Sequence, residues 1–216
     1  MLKEHFNKRL LILIILSLVY AVFSVYVYNV TKLTIHLGMI WNVFLAFLPW
    51  VFSVIIVIAL DKKLKFIAIL FGILWLLFFP NAPYIMTNFI HLSTIHFYTS
   101  GEFDIVSWLR LIQIGLGFLL GISFGMISLY NVHQSLLKVH SKRVVYSAFV
   151  IIALLSGYAI YIGRLLRYNS WDILKPVMLF NELISNINMF ALLYSILFGF
   201  YILFTYVMFY FFIKKN

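Results

Sequence analysis

Asp104 in "EFDIVSW" and Asp172 in "RYNSWDIL" are the carboxylates best placed for acid–base chemistry in a chain with only six acidic residues. Each lies close in sequence to a positive side chain: Arg110 for the first, Arg164 and Arg167 for the second. A neighbouring cation keeps a carboxylate ionised. His91 offers a second proton carrier. Arg164 and Arg167 have the planar, bidentate donor geometry that suits phosphate or carboxylate. Asn42, Asn81, Tyr84 and Asn169 add neutral hydrogen-bonding groups. The chemistry these types support is capture of an anionic group, with proton transfer by Asp104 or His91.

Other chemistries find less support. His91 and His96 are five apart in "HLSTIH", off the i, i+3 or i, i+4 spacing of a helical metal pair, and no H-E-x-x-H occurs. Ser93 and Ser170 lack a nucleophile-elbow pattern. There are no cysteines, so disulfides, thiolate catalysis and cysteine metal sites are excluded. No phosphate loop or dinucleotide fingerprint is present, and no metal or cofactor is implied.

These residues must be positioned by membrane helices. The 216 residues are 65% hydrophobic and 10% charged, against about 25% charged in a soluble domain. Mean hydropathy is +1.07. The polar stretches reach only about 25 residues, too short for a core of their own. The expectation is one all-α integral membrane domain over residues 1–216. The net charge of +10 sits in short clusters between apolar runs, a topology signal that argues against nucleic acid as partner. The basic start "MLKEHFNKR" resembles a signal peptide, but the apolar run after it is too long and lacks a cleavage pattern.

Six runs have spanning length: 10–28, 37–60, 65–79, 105–130, 144–162 and 190–213. Lys3, Lys8 and Arg9, then Lys62, Lys63 and Lys65, then Lys138, Lys142 and Arg143, then Lys214 and Lys215 all fall on one side. The positive-inside rule makes that side cytoplasmic, with both termini inside a multi-pass protein of the cell membrane. On the other side, residues 80–104 hold no Lys or Arg.

The third run covers about 22 Å against a hydrocarbon core of about 30 Å. Pro80 and Pro83 in "FFPNAPYIMTNFIHL" are expected to stop it. Asn81 and Tyr84 would then lie below the outer interface, where irregular backbone is tolerated only inside protein or along a wet cavity. "PNAPY" therefore predicts a polar indentation in the outer half of the bundle, or else a surface turn. Pro49 is expected to kink the second helix. Arg110 lies a turn or two into the fourth span and pairs with Asp104 or snorkels. Tyr161, Arg164 and Tyr168 share a face at the end of the fifth. Asn169 and Asp172 also read as a capping box opening a short interfacial helix, and Trp108 and Trp171 as interfacial belt residues. With Asn88 and His91, all these polar groups map to one side, delivered by four spans.

Gly117, Gly121 and Gly125 recur every fourth residue, a stripe that lets another helix of the bundle approach closely. Asn29-Val30-Thr31 matches a glycosylation sequon.

"WNVFLAFLPW", "PNAPYIMTNFIHL", "EFDIVSW" and "YIGRLLRYNSWDIL" together resemble the signature segments of the bacterial membrane family called domain of unknown function 1361, from about residue 38 to the end. The resemblance implies a polytopic membrane protein and no particular biochemistry. Its matching positions are Asn42, Asn81, Pro83, Tyr84, His91, Asp104, Gly163, Arg164, Asn169, Trp171 and Asp172. It also implies an aspartate at position 88, where this chain has Asn88. A role that needs a carboxylate there is weakened.

Three functions compete. The first is an outward-facing site that binds or processes an anionic lipid, a lipid-linked compound or an envelope compound, with the bilayer as its partner. The second is a small permease built from inverted repeats, against which the halves show no similarity. The third is a membrane assembly protein without chemistry.

Overall fold

The structure is a computed structural model and describes residues 2–93, 95, 97–99, 102–167 and 184–214. The fold is all-α. Its helices are α1 (Leu2–Thr31), α2 (Ile35–Asp61), α3 (Lys65–Phe78), α4 (Asn81–Tyr84), a 3-10 helix (Ile85–Leu92), α5 (Ile105–Leu137), α6 (Lys142–Leu165) and α7 (Met189–Lys214). A two-residue antiparallel ladder pairs β1 (Tyr98–Thr99) with β2 (Glu102–Phe103) ahead of α5. Six helical runs among the described residues are long and apolar enough to cross a membrane.

α5 is the hub. Of its most apolar stretch 56% is buried, against 17% for α1 at the edge. α2 and α5 run parallel in one register. Three hydrogen-bonded pairs along them, His36–Gln113, Ser53–Asn131 and Asp61–Lys138, keep sequence offsets of 77, 78 and 77. α6 and α7 form an antiparallel pair, in which Gly157 lies against the Ser195 backbone and Gly199 against Ala153. One core, including Trp75, Phe79, Met126, Phe149 and Ile202, joins α3, α5, α6 and α7. A second, including Tyr20, Met39, Ala46, Ile85 and Phe124, joins α1, α2, the 3-10 helix and α5. The bundle thus has a lysine end, with the 62–64 and 138–141 connections, and opposite it an end that carries His36 and His91, the histidine end.

The third span departs from expectation. α3 ends at Phe78, one residue short of the predicted 79, but the prolines do not end the helical path. Phe79, Pro80, Tyr84 and Ile85 all keep right-handed helical dihedrals. The run continues through α4 and the 3-10 helix to Leu92, 28 residues in all, long enough to cross. The reason is positional. Pro80 and Pro83 occupy the cap and first turn of α4, where a backbone N–H has no intrahelical acceptor to lose. The segment is also packed rather than indented: Ala82, Pro83 and Ile85 are buried. Asn81 Nδ2 donates to the Phe78 carbonyl at 2.9 Å, within its own chain segment.

The glycine stripe of α5 explains this packing. A methyl group on Gly125 would meet Ala82 Cβ at 2.6 Å, and one on Gly121 would collide with Ile85. At Gly117 the neighbours are Tyr20 and Met39. The glycines therefore seat the α4–3-10 segment, α1 and α2 against one helix. Pro49 lies within the continuous helical run of α2. α5 extends to Leu137, beyond the predicted residue 130, because its last polar residues find partners inside the bundle. Asn131 Nδ2 donates to Ser53 Oγ at 3.0 Å, and His133 Nδ1 meets Tyr206 Oη at 2.6 Å.

Candidate functional site

A 3-10 helix has three residues per turn, so positions three apart eclipse. Ala82, Ile85, Asn88 and His91 follow that period, and all but the half-buried His91 are fully buried. The first two sit on the α5 glycines. The ridge then climbs along α5 in the opposite direction, toward Gln113 and Arg110. His91 at its upper end lies within electrostatic reach of Arg110, Arg164 and His36. Four elements thus deliver one cluster: α2 gives His36, the 3-10 helix Asn88 and His91, α5 Arg110 and Gln113, and α6 Arg164.

The hydrogen bonds fix proton positions. Arg164 donates from Nη2 to His91 Nε2 at 3.1 Å. Arginine can only donate, so His91 offers a lone pair there and carries its proton on Nδ1. Gln113 Nε2 donates to Tyr20 Oη at 2.8 Å and Ser24 Oγ at 2.9 Å. Its Oε1 must therefore accept, at 3.0 Å, the proton of His36 Nδ1. In neutral His36 that leaves Nε2 as a bare lone pair. His36 Nε2, Asn88 Nδ2 and Arg110 Nε are buried and have no hydrogen-bond partner among the described residues. An unmet buried polar group costs about 1–3 kcal/mol; two of these belong to residues within electrostatic reach of His91 and the third lies one 3-10 turn before it, which marks a place shaped for something else.

Asp104 is the N-cap of α5. It accepts from the N–H groups of Val106 at 3.0 Å and Ser107 at 3.2 Å, and from the Ser107 hydroxyl. That hydroxyl, followed by the two N–H groups and the charge of Arg110, holds its carboxyl below the ordinary value, against the opposing pull of desolvation. The carboxylate is ionised and engaged at neutral pH, which suits an electrostatic partner of Arg110 better than a proton acceptor.

The remaining sequence candidates divide. Tyr84 lies at the margin of the cluster, since Tyr194 is within electrostatic reach of both it and Arg164. Asn42 is half-buried on α2, six residues beyond His36, which turns it about 120° from the histidine's face. Asn81 is bonded to the end of α3. Arg167 is exposed just past α6 with φ 61°, the left-handed position that ends a helix. Asn169 and Asp172 lie outside the described residues, as does the predicted interfacial helix.

Sequence reasoning missed His36 and Gln113. The available signal was their isolation: a lone histidine in "TIHLGMIW" and a lone glutamine three residues after Arg110, each inside an apolar run. Polar groups in that setting face the bundle interior.

Neither a curated protein nor a solved structure shows significant similarity to the chain. A family model does match, over residues 41–205, and that match takes in every cluster residue except His36. The chain accordingly belongs to the family described as protein of unknown function (DUF1361).

Proposed function

We propose that the histidine end faces outward from the cell membrane and binds, and transfers a proton with, the anionic group of a lipid-linked or envelope compound. Arg110 and Arg164 hold the anion. Asn88 Nδ2 and His91 Nδ1–H donate to its oxygens, and His36 Nε2 accepts from a hydroxyl. The matching group carries both anionic oxygens and a proton to give, as a monoprotonated phosphate does. Asp104 keeps Arg110 from drifting outward, and Tyr84 borders Arg164. The observation that carries the reading is the placing of His36 and Arg110, whose Nε2 and Nε are buried and unmet, within electrostatic reach of the His91–Arg164 contact, with the unmet Asn88 Nδ2 one 3-10 turn before His91. The outward orientation rests on the lysine clusters at the opposite end.

The test is phosphate binding by the purified protein in zwitterionic nanodiscs, followed by phosphorus-31 NMR with inorganic phosphate and methyl phosphate as probes. Loss of one charged hydrogen bond costs about 1.5–3 kcal/mol, so Arg164→Ala should weaken binding roughly ten- to hundredfold. Arg143→Ala, at the lysine end, should leave it unchanged. Equal binding by both variants and the wild type, or none by any, would refute the site.

A further inference from the structure

An apolar groove of about 260 Å³ opens between α1 and α2 on the lipid-facing side of the bundle. Its wall includes Ile14, Tyr20 and Ala21 from α1 and Ile40, Phe44 and Phe47 from α2. Water finds few partners in such a wall. Its polar lining is Ser17, whose hydroxyl donates to the Leu13 carbonyl, and Tyr20 at the upper end, which takes a hydrogen bond from the Gln113 that also orients His36.

The two helices line it up with the anion site. On α2, His36, Ile40, Phe44 and Phe47 follow the i, i+4, i+8, i+11 spacing of a single stripe. On α1, Ser24, Tyr20 and Ser17 descend in the same way. His36 and Ser24 thus sit above the groove and Phe47 near its foot. His36 to Phe47 is eleven residues, about 16 Å of helix. Half of a hydrocarbon core is about 15 Å. The groove therefore runs the depth of one leaflet, beneath a cluster whose formal charges are the two guanidiniums and Asp104.

We infer that this groove is the hydrocarbon-chain subsite of the anion site: one acyl or prenyl chain of an anionic bilayer lipid lies along α1 and α2 with its head at His36 and Arg110. This rests on the anion reading above and narrows its ligand to a lipid of the leaflet at the histidine end. It also gives α1, poorly buried elsewhere, a function.

The test is photolabelling in phosphatidylcholine nanodiscs that contain a small fraction of phosphatidic acid with a diazirine in one acyl chain, with labelled residues mapped by mass spectrometry. Labelling of segments 14–21 and 40–47 should exceed that of the exposed α7 face at Leu193 and Phe200 about tenfold. A phosphatidylcholine probe with the same chain should label all of them evenly. Ala21→Phe and, independently, Ile40→Trp fill the groove and should cut the excess at least fivefold. Both should leave inorganic phosphate binding intact, which separates failure of the chain subsite from failure of the anion site. Even labelling by phosphatidic acid, or equal groove labelling by both lipids, would overturn the inference.

Discussion

Gly125→Ala tests the packing on which the site depends. A methyl group at Gly125 would lie 2.6 Å from Ala82 Cβ, about 1 Å inside the carbon–carbon optimum. Neither group has a rotamer through which to escape, unlike the Ile85 tip facing Gly121. The backbone of the α4–3-10 segment must therefore move. Such overpacking costs about 1–3 kcal/mol, while alanine returns up to about 1 kcal/mol of helix propensity. Gly115→Ala isolates that second effect, because a methyl group there would meet nothing within 4 Å. Reversible denaturation in mixed micelles, followed by circular dichroism, should place Gly125→Ala about 1–3 kcal/mol below Gly115→Ala. Adding Ala82→Gly removes the opposing methyl group and should recover a coupling of the same size. Because the ridge carries Asn88 and His91, phosphate binding should weaken in the single mutant and return in the double. Equal stability of Gly125→Ala and Gly115→Ala, or no coupling with Ala82→Gly, would mean that the ridge is not seated on α5, and the cluster geometry would fall with it.

Two further outcomes follow from other parts of the molecule. Lys138→Ala breaks the 3.0 Å pair with Asp61, but both side chains are about 60% exposed, so the loss in a denaturation experiment should stay within about 0.2–1 kcal/mol; a loss of several kcal/mol would show this end to be far less solvated than the structure has it. Asp104, held below its ordinary value of 3.8 by Ser107, stabilises the fold fully above that value and loses its contribution as pH falls below it; asparagine caps a helix without titrating, so thermal stability of Asp104→Asn should decline less than that of the wild type as pH is lowered past 4, and parallel curves would contradict the capping role.

The bilayer made much of the fold legible. Twenty-residue apolar runs and lysine clusters admit few arrangements, and each of the six predicted runs falls on a helix long and apolar enough to cross a membrane. The misreadings share one cause: local residue type was read without its partner. Pro80 and Pro83 look like terminators until their first-turn positions are known. Asn131 and His133 look like a loop until Ser53 and Tyr206 are seen opposite them. The site followed the same pattern. His91 and Arg164, which the sequence assigns to one side of the membrane, do meet. Arg167 shares Arg164's chemistry but closes a helix in a left-handed conformation. His36 acquires its meaning only from Gln113, 77 residues away. The three-residue period of Ala82, Ile85, Asn88 and His91 was visible in the letters, but a 3.6-residue template scatters it around a helix.

Comparison of the two ends of the bundle distinguishes a site from a packing solution. His133, near the lysine end, is also buried with an unmet Nε2. Its surroundings are the rings of Phe149 at 4.8 Å and of Tyr146, Tyr206 and Tyr210 at 5.7 Å. Those rings fill the space around the imidazole, and the Tyr206 hydroxyl fixes its other nitrogen. A ligand there would have to displace aromatic packing, so the histidine serves the core. At the histidine end the unmet atoms come from three different elements, two of them donors and one an acceptor, beside guanidiniums on α5 and α6. Bringing cationic groups together costs energy that no hydrogen bond in the cluster repays among the described residues, because there Arg164 donates its hydrogen bond to a neutral histidine rather than to a carboxylate. Arg110 and Arg164 are each half-buried, and a cation partly withdrawn from water without an anion is costly. Among the described residues, Asp104 offsets part of that cost at Arg110. In the proposed function, an anion from outside the chain, seated between Arg110 and Arg164, would balance the rest.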